Sequence, residues 1–97
     1  MDKMDKGYIY INREFLELHL TSKQSQLLLF CLLQMDKNGF FLMSLEEIAL
    51  RAGRYVSDIE NDLSALDGFV WMSDEKDEFG RREFKVRNYQ TFCKLEE

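Results

Sequence analysis

The sequence contains no proline, five glycines, two cysteines and one histidine in 97 residues. Without proline and with little glycine, the chain is predicted to form regular elements joined by tight turns, not long linkers. Cys31 and Cys93 are far apart and form no CxxC pair, and Cys31 lies in the apolar run LLLFCLLQM. A free cysteine in such a run behaves as a small apolar side chain, so we predict no disulfide. One small folded domain is expected, because 45% of the residues are hydrophobic and 13% are aromatic.

Residues that carry catalysis or bind metal ions are also scarce. His19 is the only histidine, and no cysteine or serine has a histidine nearby in the sequence to act as its base. There is no glycine-rich phosphate loop and no set of zinc ligands. The acids of DEKDEFG, residues 74–80, lack the spacing of a calcium loop. We therefore predict a protein that is not an enzyme and that uses no metal ion or cofactor.

Long apolar runs are missing as well. The longest, Leu27 to Leu33, is much shorter than the roughly 20 residues that span a bilayer. The opening MDKMDKGYIY is charged and lacks the apolar centre of a signal peptide. These observations predict a soluble cytoplasmic protein with no membrane partner.

The apolar run of residues 27–33 lies within a predicted helix. Thr21 and Gln24 of TSKQ match a capping box, and DKNG after Met35 predicts a turn. A helix that is apolar on every side has to be covered on every side. The second cover is either the N-terminal segment or another copy of the chain, which would make a homodimer. The predicted interface residues, in this helix and in the strand after it, are Leu27, Phe30, Leu33, Phe40 and Phe41.

Residues 44–66, SLEEIALRAGRYVSDIENDLSAL, predict two helices joined by a tight turn at Gly53. The first helix begins with a capping box, Ser44 with Glu47. The second buries four apolar residues at spacings of 3, 4 and 3, which place them on one helical face: Val56, Ile59, Leu63 and Leu66.

Strands are predicted on both sides of this helical part. Residues 8–12 form a short strand, and GFFLMS supplies another strand or an extended link. FVWMS, residues 69–73, and RREFKVRNY, residues 81–89, form a hairpin with an acidic loop. Phe69 and Trp71 are expected mainly in the core. On the last strand Phe84 and Val86 share one face, and the opposite face carries Arg81, Glu83, Lys85 and Arg87.

This order of elements resembles a winged helix-turn-helix domain. That α+β fold has a three-helix core, a C-terminal β-hairpin wing and, here, a short N-terminal strand. GYIYINREFLE, SLEEIALRAG and FKVRNYQTF are also similar to the N-terminal domain of phage replisome organisers, and the layout is similar to that of DnaD-type primosome proteins. The resemblance implies a role in starting or controlling DNA replication, by binding DNA or replication proteins. The domain would span residues 7–93, between a disordered N-terminus (1–6) and a C-terminal tail (94–97).

The distribution of charge indicates how DNA would bind. Residues 44–68 hold six acids and two bases, whereas residues 81–94 hold five bases and one acid, although the whole chain has a net charge of −5. Phosphate contacts need clustered Lys and Arg, so the last hairpin strand should carry most of them. Weak to moderate binding of double-stranded DNA is predicted for Arg51, Arg54, Tyr55, Asn61, Arg81, Lys85 and Arg87. The alternative is a protein–protein assembly module that uses the same fold without binding DNA.

Overall fold

The computed structural model describes residues 9–95. Within this range the chain is a small α+β domain with four α-helices and two antiparallel sheets. The predicted disordered segment, residues 1–6, lies outside the described residues. The elements in chain order are β1 (Ile9–Ile11), α1 (Arg13–Leu16), α2 (Ser22–Gln34), β2 (Phe40–Met43), α3 (Leu45–Ala52), α4 (Val56–Ala65), β3 (Val70–Met72), β4 (Arg82–Val86), a 3-10 helix (Tyr89–Thr91) and β5 (Cys93–Leu95).

The starts of α2 and α3 are fixed by side-chain caps. The Gln24 N–H donates to Thr21 Oγ1 and the Thr21 N–H donates to Gln24 Oε1, both at 3.1 Å, which confirms the predicted capping box. At α3 only half of the predicted box forms. Ser44 Oγ accepts from the Glu47 N–H at 3.0 Å, whereas the Glu47 side chain pairs with Arg51. Gly53 ends α3 in the left-handed region with φ 69°, as the turn requires.

The core lies between the helices and one face of a three-stranded sheet of order β2-β4-β3. Phe84 and Val86 of β4 are fully buried, which confirms the predicted alternation along this strand. The Phe84 ring stacks on that of Phe41, with 4.8 Å between centroids. On the other side, α4 packs against α2 and α3. The buried residues that these helices contribute are Leu27, Leu28, Cys31, Leu32, Leu45, Ile48, Ala49, Ile59 and Leu63.

Helix α2 is covered mainly by residues of its own chain. Leu27 is only 1% exposed, and Phe41 of the neighbouring strand is only 8% exposed. These two predicted interface residues are therefore core residues. Phe30 and Phe40 are partly buried, and Leu33 alone of the five is widely exposed, at 58%. The N-terminal segment supplies part of the cover, since its apolar residues join the same core: Phe15, Leu18 and Leu20.

A second sheet joins β1 to β5 in antiparallel register, with Tyr10 opposite Lys94. Residues 94 and 95, which were expected in a tail, therefore belong to a strand. Asn12 extends this connection, because its backbone N–H donates to the Phe92 carbonyl at 2.6 Å and its Nδ2 to the Thr91 carbonyl at 2.9 Å. The segment after β4 is thereby held beside the segment after β1.

Candidate nucleic-acid interface

Two adjoining grooves open where β4 leads into the 3-10 helix. One, of about 520 Å³, is bordered by β3, β4 and the turn after β4, and the other, of about 540 Å³, by Asn12 and β5. They share Asn38, Tyr89 and Gln90, so we treat them as one surface, the basic groove. Its lining residues are Asn12, Lys37, Asn38, Trp71, Lys85, Val86, Arg87, Asn88, Tyr89, Gln90, Cys93 and Lys94. Among these described residues four are cations and none is an acid.

The turn between α2 and β2 forms one wall of the basic groove. Asp36 closes this turn, because its Oδ1 accepts the N–H groups of Asn38 at 2.8 Å and Phe40 at 3.0 Å. Gly39 has φ +88°, and a Cβ at this position would lie 2.9 Å from the Val86 carbonyl oxygen. Only glycine fits such a close, left-handed approach without strain. The turn therefore lies directly against the end of β4 and holds Lys37 and Asn38 at the groove.

The segment after β4 forms the floor. Asn88 adopts the left-handed conformation with φ 50°, which turns the chain into the 3-10 helix. The Tyr89 hydroxyl then donates to the backbone carbonyl of Lys37, so two segments distant in sequence are joined. Asn88 and Tyr89 lie in the FKVRNYQTF stretch of the sequence. Here they have a direct geometric role in shaping the groove.

The outer face of the three-stranded sheet adds aromatic surface beside the cations. Lys85 of β4 lies opposite Phe40 of β2 and opposite Trp71 of β3, so the three side chains form one row across the sheet. The Lys85 Nζ lies 4.6 Å from the centroid of the Phe40 ring, a cation–π contact. Trp71 is 38% exposed, in contrast to the expected core position. Its strand presents Val70 to the core and therefore Trp71 to the outside.

Of the predicted DNA-binding residues, only Lys85 and Arg87 line the basic groove. Arg81 lies in the hairpin loop, where its Nε donates to Asp77 Oδ2 at 2.8 Å and its guanidinium carbon is 5.1 Å from the Phe79 ring centroid. The Arg81 backbone N–H donates to the same carboxylate and, with this side chain, holds the pKa of Asp77 below its usual value. Arg51 pairs with Glu47 at 2.8 Å on α3. Both arginines thus already have acidic partners.

Arg54, another of the predicted DNA-binding residues, is mostly buried and paired with an acid. Its side chain is only 9% exposed, and its Nη2 donates to the Asp62 carboxylate, itself 17% exposed. It also reaches the Asp58 carbonyl at 3.5 Å, while its Nε and Nη1 are buried without a hydrogen-bond partner in the described chain. Arg54 therefore ties the α3–α4 turn to α4. Tyr55 and Asn61 are exposed but do not line the basic groove.

Acidic surface borders the basic groove. With both nearby arginines paired, four acids of residues 44–68 have no ion pair within the described chain: Glu46, Asp58, Glu60 and Asp67. Glu60 and Asp67 line a separate hollow of about 320 Å³ whose wall includes Trp71. Trp71 is thus the ridge between a basic and an acidic surface. Sequence reasoning identified this separation of charge but missed five residues that line the basic groove: Lys37, Asn38, Tyr89, Gln90 and Lys94.

Within residues 9–95, no helix is long and apolar enough to cross a membrane. The same residues contain no cluster of three or more His, Cys, Asp or Glu that could hold a metal ion. Comparison with known family models, with curated proteins and with solved structures finds no match to this chain.

Proposed function

We propose that this chain is a non-catalytic, cytoplasmic nucleic-acid-binding domain of the winged-helix class that acts in the initiation of DNA replication or in its control. The observation that carries the binding proposal is the basic groove. Lys37, Lys85, Arg87 and Lys94 line it, and none of the four forms an ion pair within the described chain. Cations without acidic partners, gathered in a concave surface, are suited to phosphates.

The arrangement of the helices supports the winged-helix assignment. Helices α3 and α4 meet at a turn centred on Gly53, and the β3–β4 hairpin follows α4 directly. The role in replication depends on the resemblance of three segments to phage replisome organisers: GYIYINREFLE, SLEEIALRAG and FKVRNYQTF. In this proposal α4 does not read DNA bases, because its neighbouring arginines are paired with acids and phosphate contacts must position a base reader.

A salt titration with a charge-reversal variant tests the proposal. Four phosphate contacts predict that log K falls with log salt at a slope of about −3 to −4 between roughly 50 and 200 mM. Lys85→Glu with Arg87→Glu should weaken binding roughly fiftyfold at about 0.1 M salt. Each phosphate contact raises log K by about 0.9 for a tenfold dilution of the salt from 1 M, and this variant loses two contacts. The matched control is Lys23→Glu with Lys76→Glu, which makes the same charge change at exposed sites outside the groove. Equal losses in both variants, or no binding at the lowest salt, would refute the proposal.

An assembly module is the second candidate, and an exposed apolar surface favours it. Leu50 and Tyr55 are 81% and 79% exposed at the α3–α4 turn, where they border a depression of about 360 Å³. Large exposed apolar groups that lie together are a common feature of protein-binding sites. The mass of the protein, measured by light scattering in the same buffers, separates the two functions. A stable oligomer without nucleic-acid binding would favour assembly.

A further inference from the structure

We infer that the basic groove binds a single strand of DNA or RNA, with a base stacked on Trp71 and the backbone passing Lys85 and Arg87. This inference rests on the proposed function and specifies the form of nucleic acid. Three independent features carry it: the aromatic row on the outer face of the sheet, the amide side chains of the groove and the position of the acidic borders.

The aromatic row provides a surface on which an unpaired base can stack. Trp71 is exposed on the sheet, directly across from Lys85, whose other neighbour is Phe40. Proteins that bind single strands combine such aromatic faces with cations that follow the backbone. Bases inside a duplex are already stacked on each other, so their faces are closed to Trp71. The arrangement is therefore suited to a strand whose bases are open.

The amide side chains beside the cations could recognise base edges. Asn38, Asn88 and Gln90 are exposed, and none of their side-chain amides forms a hydrogen bond within the described residues. An amide both donates and accepts, which matches the pairing edges of bases. Those edges are accessible only in unpaired nucleotides. The groove thus offers partners for bases as well as for phosphates.

The acidic borders limit the width of the ligand. Glu60 and Asp67 lie in the hollow beyond Trp71, and Glu83 is exposed on β4 two residues from Lys85, towards the acidic hairpin loop. A duplex carries two phosphate backbones, separated by grooves about 6 to 12 Å wide. Charges interact over about one Debye length, ~10 Å, at 0.1 M salt, so a second backbone placed over either acidic border would be repelled. A single backbone avoids this repulsion.

The chain contains one tryptophan, so its intrinsic fluorescence reports directly on Trp71. The protein would be titrated at roughly 50 mM salt with a thymidine 12-mer, with a uridine 12-mer and with a 12-base-pair duplex, a length within the usual range of about 4–16 nucleotides for a single-strand site. We expect a single-stranded 12-mer to quench the Trp71 fluorescence saturably. The protein should bind this 12-mer at least ten times more tightly than it binds the duplex. The two 12-mers show whether DNA or RNA is preferred, and preference for either supports the inference.

Substitution of Trp71 completes the test, with anisotropy of labelled oligonucleotides as the readout. Trp71→Ala should lose about ten- to a hundredfold in single-strand affinity, the range expected for one stacked base. It should change duplex affinity less than about threefold, and Trp71→Phe, which keeps an aromatic face, should retain most of the single-strand affinity. Duplex binding as tight as single-strand binding, or full affinity in Trp71→Ala, would overturn the inference and leave the proposed function intact. If neither form binds, both fail.

Discussion

The pair formed by Arg54 and Asp62 predicts that Asp62→Ala destabilises the fold without altering the basic groove. Removal of one partner from a buried ion pair costs about 3–5 kcal/mol, because the other charge stays buried and unpaired. The Arg54 side chain is 9% exposed and that of Asp62 is 17% exposed. Since this residual exposure gives some access to water, we reduce the expected loss in the free energy of unfolding to about 2–3 kcal/mol.

The size of this effect makes it easy to measure. Alanine is a better helix former than aspartate by up to about 0.7 kcal/mol, so helix propensity alone would make Asp62→Ala more stable than the wild type. For a domain of this size the melting temperature should fall by about 10–20 °C. Urea denaturation followed by circular dichroism gives the free energy. The control is Glu60→Ala, an exposed acid on the same helix, which should stay within about 0.5 kcal/mol of the wild type.

A double replacement separates pairing from other effects of the Asp62 side chain. Arg54→Met combined with Asp62→Leu removes both charges and should recover most of the lost stability, as for other buried pairs exchanged for apolar residues. The reasoning is refuted if Asp62→Ala is as stable as Glu60→Ala. It is also refuted if the double variant is less stable than Asp62→Ala.

Two further predictions concern the turn at Gly39 and the buried thiols. Gly39→Ala should cost about 1–3 kcal/mol in urea denaturation, because it adds left-handed strain and a Cβ 2.9 Å from the Val86 carbonyl oxygen. Gly80→Ala adds left-handed strain at φ +79° but no steric contact, because nothing lies within 4 Å of the added Cβ, so it should lower the free energy of unfolding by less than Gly39→Ala does. An equal loss in the two variants would contradict the steric argument. Burial raises the pKa of Cys31 from 9.0 to about 12, so the Cys31 thiol should not react with Ellman's reagent at about pH 8 until urea unfolds the chain. Burial also raises the pKa of Cys93, but this residue lines the basic groove, so the Cys93 thiol should react faster than that of Cys31. The Cys31 thiol ionises at a lower pH in the unfolded chain than in the folded chain. Its contribution to the free energy of unfolding should therefore be fully present below pH 9.0 and decrease as the pH rises towards 12. Rapid reaction of Cys31 in the folded protein would disprove its burial.

Helix ends and strand faces were predictable because their determinants are local. The cap of α2 involves Thr21 and Gln24, which are three residues apart, and Gly53 ends α3 through its own φ. The alternation of Phe84 and Val86 similarly follows from the period of a strand. Each of these signals needs only a short stretch of sequence and no knowledge of the fold.

The site was less predictable because its determinants are distant in sequence. The Tyr89 hydroxyl meets the Lys37 carbonyl 52 residues away, so the position of Lys37 beside Tyr89 could not be inferred from spacing. Leu27 lay within a run that indicated an apolar surface on every side of the helix, but in the fold α4 packs against α2 and Leu27 is a core residue. Arg54 and Asp62 did leave a signal, since residues 54, 58 and 62 recur every four positions next to a helix start.

The contacts that shape the groove join residues that are far apart in the sequence. One joins residues 52 positions apart and another, from Asn12 to Thr91, residues 79 positions apart. Contacts of such long sequence separation require the entropy of large loops to be lost before they stabilise anything. The unfolded chain carries the same lysines and arginines, but it lacks the contacts that hold them together in one groove. Under the proposed function, affinity for nucleic acid would therefore report that the whole described chain has folded, since a cut between residues 12 and 91 divides the groove.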